Sequence, residues 1–237
     1  MEKSMSSSRI KDFKNGALDS LPIALGYIPV SFSFGMLAVA AGIEPIWAII
    51  ISMTNLTSAG QFAGVNIIGA AGTYMEMGVT TFVINLRYML MSLSLTQKTQ
   101  NMPLWKRLIM AFGVTDEIFA VASTTAHKIT FAYMAGLIAV PYVGWALGTA
   151  LGAYINNLLP APLANAMGIT LYAMFIAIII PAAKKDKKVV FVLTVAVAAS
   201  CVMYFLMPFI SSGWAVIIAA VIASALGATF FPRRDDE

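Results

Sequence analysis

Three charged residues stand inside long apolar stretches of this sequence. Arg87 lies in "TFVINLRYMLMSLS" with at least nine mostly apolar residues on either side, and Asp116 and Glu117 lie in "FGVTDEIFAVA". On insertion scales a central Arg or Asp in a membrane helix costs about 2.5–3.5 kcal/mol, so each requires a partner or water. We predict that Asp116 pairs with Arg87 and that the adjacent acid is free to titrate or to face a cavity. An alternative is a purely structural ion pair that fixes helix register.

A second polar stretch, "SMTNLTSAGQFAGVN" at 52–66, interrupts an apolar run with amides, hydroxyls and glycine. Such side chains can unwind a helix at membrane depth, because they and trapped water bind the freed backbone groups. The broken ends then offer N–H and C=O groups to a carboxylate and an ammonium. The alternative is that the small residues at 58–60 permit close helix contact. The predicted substrate-binding residues are Asn55, Ser58, Gly60, Gln61, Asn85, Arg87 and Tyr88, and the predicted ion-coupling residues are Asp116 and Glu117.

Other chemistry finds little support in the sequence. The one histidine, His127, has no cysteine or carboxylate cluster beside it that would make a metal site. We also find no Gly-rich phosphate loop and no serine elbow or intramembrane metalloprotease motif. We therefore expect no metal, no cofactor and no enzymatic activity.

The composition indicates a membrane protein. Hydrophobic residues make up 59% of the 237 residues and charged residues 11%, whereas a soluble domain carries about 25% charged residues. The long apolar runs do not alternate as barrel strands do, so an all-α polytopic fold in the lipid bilayer is predicted. The basic residues fall in short clusters between apolar runs, which is typical of topology signals and not of a nucleic-acid surface.

The apolar segments give the expected organisation. Two of them, 45–72 and 105–126, fit a single plain span poorly, so we expect six to eight spans with some broken or re-entrant. The "KKDKK" cluster at 184–188 and the basic N-terminus should be cytoplasmic, which puts both termini in the cytoplasm. We expect a basic segment at 1–20, one transmembrane domain at 21–231 and a tail at 232–237. The predicted segments are 21–42, 45–72, 74–94, 105–126, 131–158, 163–183, 189–208 and 210–231.

Proline and glycine recur in both halves of the chain. The stretches "GYIPVSFSFG" at 26–35 and "GLIAVPYVGWALG" at 136–148 are compatible with an inverted repeat, as in several transporter folds. The stretch "GTALGAY" at 148–154 has small residues four apart, a spacing that favours tight helix packing.

Several motifs resemble the AzlC family, the large subunits of branched-chain amino acid permeases. "IPVSFSFG", "SAGQF", "NLRYMLMSLSL" and "TDEIFA" occur in the family's order and at about its spacing, and the resemblance covers about residues 20 to 230. "WALGTALGAYINNLLP" and "YAMFIAIIIP" are also similar to that family. Family members often carry an acid in the stretch after "LP", where this chain has Thr170. The resemblance therefore assigns no acidic residue to that position.

The resemblance implies transport, mostly export, of valine, leucine and isoleucine, with a small membrane partner of the AzlD type. An apolar substrate side chain would require an apolar pocket, and the candidate lining residues are Phe32, Phe62 and Tyr88. We therefore expect a secondary transporter in the cytoplasmic membrane that is driven by an ion gradient. The hypothesis for the coupling ion is a proton that binds Asp116 or Glu117. The alternatives are a channel-like pore, or a scaffold subunit for other small amino or organic acids.

Overall fold

The computed structural model describes residues 2–99, 102–125, 129–155 and 183–232, together with scattered positions between 162 and 181. Ten helices have both of their ends within these residues. They are α1 (Glu2–Asp19), α2 (Leu21–Ala40), α3 (Pro45–Thr54), α4 (Ala59–Gly69), α5 (Tyr74–Thr96), α6 (Leu104–Phe112), α7 (Asp116–Thr124), α8 (Phe131–Ile155), α9 (Lys187–Leu206) and α10 (Ser212–Phe230).

The helices confirm the all-α polytopic membrane fold. Among the described residues, α2, α5, α8, α9 and α10 are long and apolar enough to cross a membrane. They agree with five of the predicted apolar segments. The expected total of six to eight spans also includes 163–183, which lies largely outside the described residues.

The two segments that fit a single span poorly are broken helices. Residues 45–72 form α3 and α4, separated by residues 55–58, and Ser58 in this break has φ +49°. Residues 105–126 contain α6 and α7, separated by residues 113–115. Thr115 caps α7, because its hydroxyl accepts a hydrogen bond from the Ile118 N–H at 3.3 Å. Asn55, Thr57 and Ser58 at the first break, and Gly113 and Thr115 at the second, disfavour a continuous helix.

The chain divides into two compact units, one of residues Met1–Phe62 and Ile84–Gly168 and the other of Ala63–Val83 and Ile169–Glu237. In the first unit α2 packs along α8 at glycines spaced four residues apart. A Cβ at Gly148 would collide with the Ile28 carbonyl and the Ser31 hydroxyl, and one at Gly152 would collide with the Phe32 carbonyl. The predicted tight packing around 148–154 is therefore present, and backbone meets backbone along this contact.

The N-terminal helix α1 also packs on α8. Gly16 and Gly136 permit the contact reciprocally, since a Cβ on either would meet the backbone of the other helix. The Thr130 and Tyr133 hydroxyls donate to carboxylates of α1, Asp12 and Asp19 respectively, each at 2.9 Å. The basic segment predicted at 1–20 is thus a helix attached to the first unit.

The Pro-bearing stretches proposed as a repeat lie within continuous helices. Pro29 is inside α2 and Pro141 is inside α8, and neither helix is broken there. The breaks occur in the α3–α4 and α6–α7 segments instead. An inverted repeat stays a prediction.

The second unit contains a hairpin of α9 and α10. Phe191 on α9 packs edge-on against Phe230 and Phe231, with ring centroids 5.5 and 5.4 Å apart. This end of the hairpin also carries the basic cluster at 184–188. The opposite end is the turn at 207–211, where Ser211 precedes α10.

Candidate functional site

Arg87 and Asp116 form an ion pair in the first unit. The Arg87 Nη1 lies 2.8 Å from the Asp116 Oδ2, and the two side chains are 32% and 25% exposed. The predicted pairing is therefore present. Asp116 is the first residue of α7, where the unbonded N–H groups and the helix dipole favour a negative charge.

Tyr88 extends this pair to the other helix break. The Arg87 Nη2 donates a hydrogen bond to the Tyr88 hydroxyl at 3.0 Å, and the guanidinium carbon lies 4.9 Å from the Tyr88 ring centroid. The Tyr88 hydroxyl in turn donates to the Thr57 carbonyl, also at 3.0 Å. One chain of polar contacts thus runs from the start of α7, through α5, to the break between α3 and α4.

The predicted residue Gln61 stabilises the α3–α4 break. Its side-chain oxygen accepts from the Ser58 N–H at 3.2 Å, and its amide nitrogen donates to the Ser52 hydroxyl at 3.2 Å. Ser52 is hydrogen-bonded to Thr149 of α8 at 2.6 Å. Gln61 is 2% exposed, so its amide is committed to holding the break against α8.

Gly60, Asn55 and Asn85 complete the α3–α4 break. Asn55 caps the end of α3, and its Oδ1 accepts from the Thr57 hydroxyl at 2.9 Å. A Cβ at Gly60 would lie 2.7 Å from the Thr57 Oγ1 and 2.9 Å from the Asn85 Oδ1. Gly60 therefore lets the Asn85 amide of α5 approach the break. This stretch therefore shows both an interruption of the helix and a close helix contact.

Three predicted site residues retain buried polar atoms without a hydrogen-bond partner. Among the described residues these are the Ser58 Oγ, the Asn85 Oδ1 and the Arg87 Nε. Buried polar atoms are almost always hydrogen-bonded, and exceptions need an explanation such as a ligand or water. One donor on Arg87, one acceptor on Asn85 and one hydroxyl on Ser58 thus lack partners in this part of the first unit.

Glu117 has a separate partner that the sequence did not reveal. The Tyr27 hydroxyl of α2 donates to the Glu117 Oε2 at 2.6 Å and lies 2.6 Å from the Thr115 hydroxyl. The Tyr27 ring packs edge-on against Trp145, which is 1% exposed and whose indole N–H has no partner among the described residues. The predicted ion-coupling residues therefore have different environments: Asp116 faces a cation and Glu117 faces a phenol.

The sequence interpretation missed Tyr27, Thr57, Thr115 and Ser52. Thr115 had a signal, because a threonine directly before two acids is a common helix start. Ser52 and Thr57 lie in the polar stretch at 52–66 that the sequence had singled out, although neither was a predicted site residue. Tyr27 is brought in by tertiary packing. Of the candidate pocket walls, Phe62 packs edge-on against Phe34 with centroids 5.5 Å apart. His127 and Thr170 lie outside the described residues.

These features define a multi-pass α-helical membrane protein. Its first unit holds a polar centre, formed by Ser58, Asn85, Arg87, Tyr88 and Asp116, that links two helix breaks. Residues 22–159 match the family described as AzlC protein, more than half of the chain, and the chain belongs to this family. Inner membrane protein YgaZ of Escherichia coli (strain K12) is 28% identical over 95% of this chain and 94% of that protein.

Two further relatives cover most of the chain. An uncharacterized membrane protein of Archaeoglobus fulgidus is 32% identical over 74% of this chain and 78% of its own. The branched-chain amino acid transport protein AzlC of Bacillus subtilis (strain 168) is 23% identical, over 74% of this chain and 70% of its own. No solved structure matches the chain.

Proposed function

We propose that this chain is a secondary transporter that exports branched-chain amino acids across the cytoplasmic membrane, with both termini in the cytoplasm. Membership of the AzlC family and the name of the Bacillus subtilis relative support a membrane transport role. The observation that carries the proposal is the polar centre, where Arg87, Asn85 and Ser58 each keep a buried polar atom without a partner beside two helix breaks.

The charges of this centre suit a zwitterion. The substrate carboxylate would bind the Arg87 guanidinium and the Ser58 hydroxyl, because charge-assisted hydrogen bonds to arginine are strong and directional. The substrate ammonium would bind the Asn85 Oδ1 and the carboxylate of Asp116. In the empty protein Arg87 and Asp116 neutralise each other at 2.8 Å. A zwitterion inserted between them keeps the site neutral, so neither state leaves an uncompensated charge in the membrane.

Substrate binding would then act on both helix breaks. Arg87 is bonded to Asp116 at the start of α7, and through Tyr88 it is linked to Thr57 in the α3–α4 break. A carboxylate that competes with Asp116 for Arg87 loosens one end of this chain of contacts. Differential contacts of this kind are what a ligand needs in order to shift a protein between two states. We propose that alternating access uses this change.

We further propose that a proton gradient drives export through Asp116 or Glu117. The test measures leucine transport against an imposed pH gradient for Asp116→Asn and Glu117→Gln. Both substitutions remove a titratable group at nearly constant size, and we expect the dependence on the gradient to fall in at least one. Coupling through these acids is wrong if both variants keep the full dependence.

The functional test is efflux of preloaded labelled leucine from cells that lack their own exporters. The chain is expressed with and without a co-encoded small membrane protein of the AzlD type, which we propose as its partner. We expect saturable efflux that Arg87→Gln abolishes while the protein remains in the membrane. Arg107→Gln, at an exposed arginine of α6, is the matched control and keeps the flux.

The other outcomes identify the alternatives. Flux that does not saturate and never accumulates substrate indicates a channel-like pore. Flux that follows mutations in the partner and ignores Arg87 indicates a scaffold subunit. Normal flux in Arg87→Gln indicates that the Arg87–Asp116 ion pair has only a structural role. Absence of efflux with the protein in the membrane excludes branched-chain amino acids as the proposed substrates. Other small amino acids and organic acids are then screened.

A further inference from the structure

The second unit contains a buried carboxylate that the polar centre does not use. Glu76 lies in the first turn of α5 and is 6% exposed. Burying a carboxylate is unfavourable unless it is paired, hydrogen-bonded or protonated. Among the described residues no lysine, arginine or histidine forms an ion pair with it, since the ion pair found there joins Arg87 and Asp116. The Glu76 carboxylate must therefore be stabilised by groups other than a cationic side chain, or be neutralised by a proton.

The start of α10 accommodates the ionised form of Glu76. The Ser211 hydroxyl donates a hydrogen bond to the Glu76 Oε1, and Ser211 directly precedes α10. A Cβ at Gly213 would lie 2.7 Å from the same oxygen, so the carboxylate rests against the first turn of that helix. The first N–H groups of a helix lack intrahelical partners, and its dipole is positive there. A negative charge is therefore stabilised without a cation.

Thr80 accommodates the protonated form. It is 1% exposed, and its Oγ1 has no hydrogen-bond partner among the described residues. The Thr80 Oγ1 lies 2.7 Å from the point where a Gly213 Cβ would be, as the Glu76 Oε1 does, so both oxygens face the same small space. A protonated carboxyl group has one O–H donor that needs an acceptor. The unpartnered Thr80 oxygen is an acceptor beside the same space as the Glu76 carboxyl group.

No second titratable group forms a hydrogen bond or an ion pair with Glu76 in the described part of this unit. On its own helix the neighbouring Tyr74 is 90% exposed, and the preceding segment contributes Gly72 and Thr73, whose hydroxyl accepts from the Glu76 N–H at 3.1 Å. The start of α10 contributes Ser211 and Gly213. A calcium or magnesium ion needs six or more oxygen ligands. One carboxylate and two hydroxyls favour a proton over such a metal ion.

We propose that Glu76, with Ser211 and Thr80, is a proton-binding site that takes part in coupling transport to the proton gradient. Its coupling role rests on the proposed transport function. The site lies at the α9–α10 turn, and α9 with 20 residues is about 30 Å long. The basic cluster at 184–188 lies at the opposite end of α9 and is the end assigned to the cytoplasm. Glu76 is therefore on the outer side, where an inward proton enters.

The first test follows protonation directly and needs no transport. Infrared spectra of the purified full chain are recorded as a function of pH, and the band of the protonated carboxyl group is measured. We expect Glu76→Gln to remove one titrating component that Glu44→Gln, at an exposed glutamate before α3, retains. Thr80→Val and Ser211→Ala, which each remove a hydroxyl beside the carboxylate, change that component, whereas Glu44→Gln leaves it as it is.

The second test separates coupling from substrate movement in proteoliposomes. Leucine exchange between the two sides requires the carrier but no gradient, whereas net uphill transport requires both. We expect Glu76→Gln to keep exchange and to lose acceleration by a pH gradient at least tenfold, while Glu44→Gln keeps both. Retained exchange also shows that the variant is folded, and Thr80→Val supplies a second variant of nearly unchanged shape.

Several results overturn the proposal. They are an unchanged infrared titration in Glu76→Gln, full gradient dependence in that variant, or acceleration by a sodium gradient instead of a proton gradient. If the unmodified chain shows no leucine exchange, the proposed function fails. The infrared titration of the Glu76 site still gives its own answer in that case.

Discussion

Arg87 connects two elements because a guanidinium has several donors in fixed directions. Its Nη1 pairs with Asp116 and its Nη2 donates to Tyr88, while its Nε remains unpartnered. A lysine ammonium is a compact point charge and lacks this fork. It could pair with Asp116 or approach Tyr88, but it cannot hold both in the same geometry.

We therefore expect Arg87→Lys to transport poorly although the charge is retained. Loss of one charge-assisted hydrogen bond, worth about 1.5–3 kcal/mol, corresponds to a reduction in saturable leucine efflux of roughly tenfold or more. The measurement is the initial efflux rate at matched protein level in the membrane. Arg107→Lys on α6 serves as the control and stays near normal. Full flux in Arg87→Lys would mean that a positive charge alone is sufficient.

At the scale of helices, the contact between α2 and α8 depends on glycines whose neighbours are backbone atoms. A Cβ at Gly152 would meet the Phe32 carbonyl, whereas a Cβ at Gly26 has nothing within 4 Å. Backbone cannot rotate away as a side chain can, so the two positions should respond to the same substitution in opposite ways.

We expect Gly152→Ala to lower the free energy of unfolding by about 1–3 kcal/mol, the usual cost of forcing extra volume into a packed contact. Gly26→Ala should be neutral or stabilising by up to about 1 kcal/mol, because alanine favours the helix. Thermal unfolding of the purified protein in detergent compares the two. Equal stability of both variants would show that α2 and α8 can separate to admit a methyl group.

The sequence was a good guide to the elements because lipid imposes simple rules on length and polarity. The long apolar runs are helices, and the stretches around Ser58 and Asp116 contain breaks. Glycine favours the unwinding of a helix, and nearby hydroxyl groups then bind the freed backbone groups. The Arg87–Asp116 pair could also be predicted, because charges at membrane depth need counter-charges.

The contacts made by distant residues could not be predicted in the same way. Tyr27 is 90 positions from Glu117 along the chain, and no local pattern links a phenol in α2 to an acid in α7. Gln61 looked like a substrate ligand but holds the break against α8 through Ser52. The sequence did not single out Glu76, because its burial depends on how α5 meets the start of α10.

At the scale of the whole molecule, orientation in the membrane is a proposal that α9 makes testable. Lys187 at its start is exposed, and Phe209 in the turn beyond its end is 82% exposed. A helix of about 30 Å spans the hydrocarbon core. These two positions should therefore lie on opposite sides of the membrane.

The test uses cysteine labelling with a reagent that does not cross membranes, in a chain whose one native cysteine is replaced by Cys201→Ser. We expect Lys187→Cys to react in inside-out vesicles and Phe209→Cys to react in intact cells. The reversed pattern would invert the hairpin and place the Glu76 site on the cytoplasmic side.

The burial of Trp145 gives the first unit an optical reporter. The three other tryptophans, Trp47, Trp105 and Trp214, are 56%, 54% and 42% exposed, whereas Trp145 packs edge-on against Tyr27. With those three replaced by phenylalanine, the fluorescence comes from the one indole beside the Tyr27–Glu117 hydrogen bond. Its emission wavelength depends on the polarity around that bond. Ligand binding to the purified protein can therefore be followed by tryptophan fluorescence, without a transport assay.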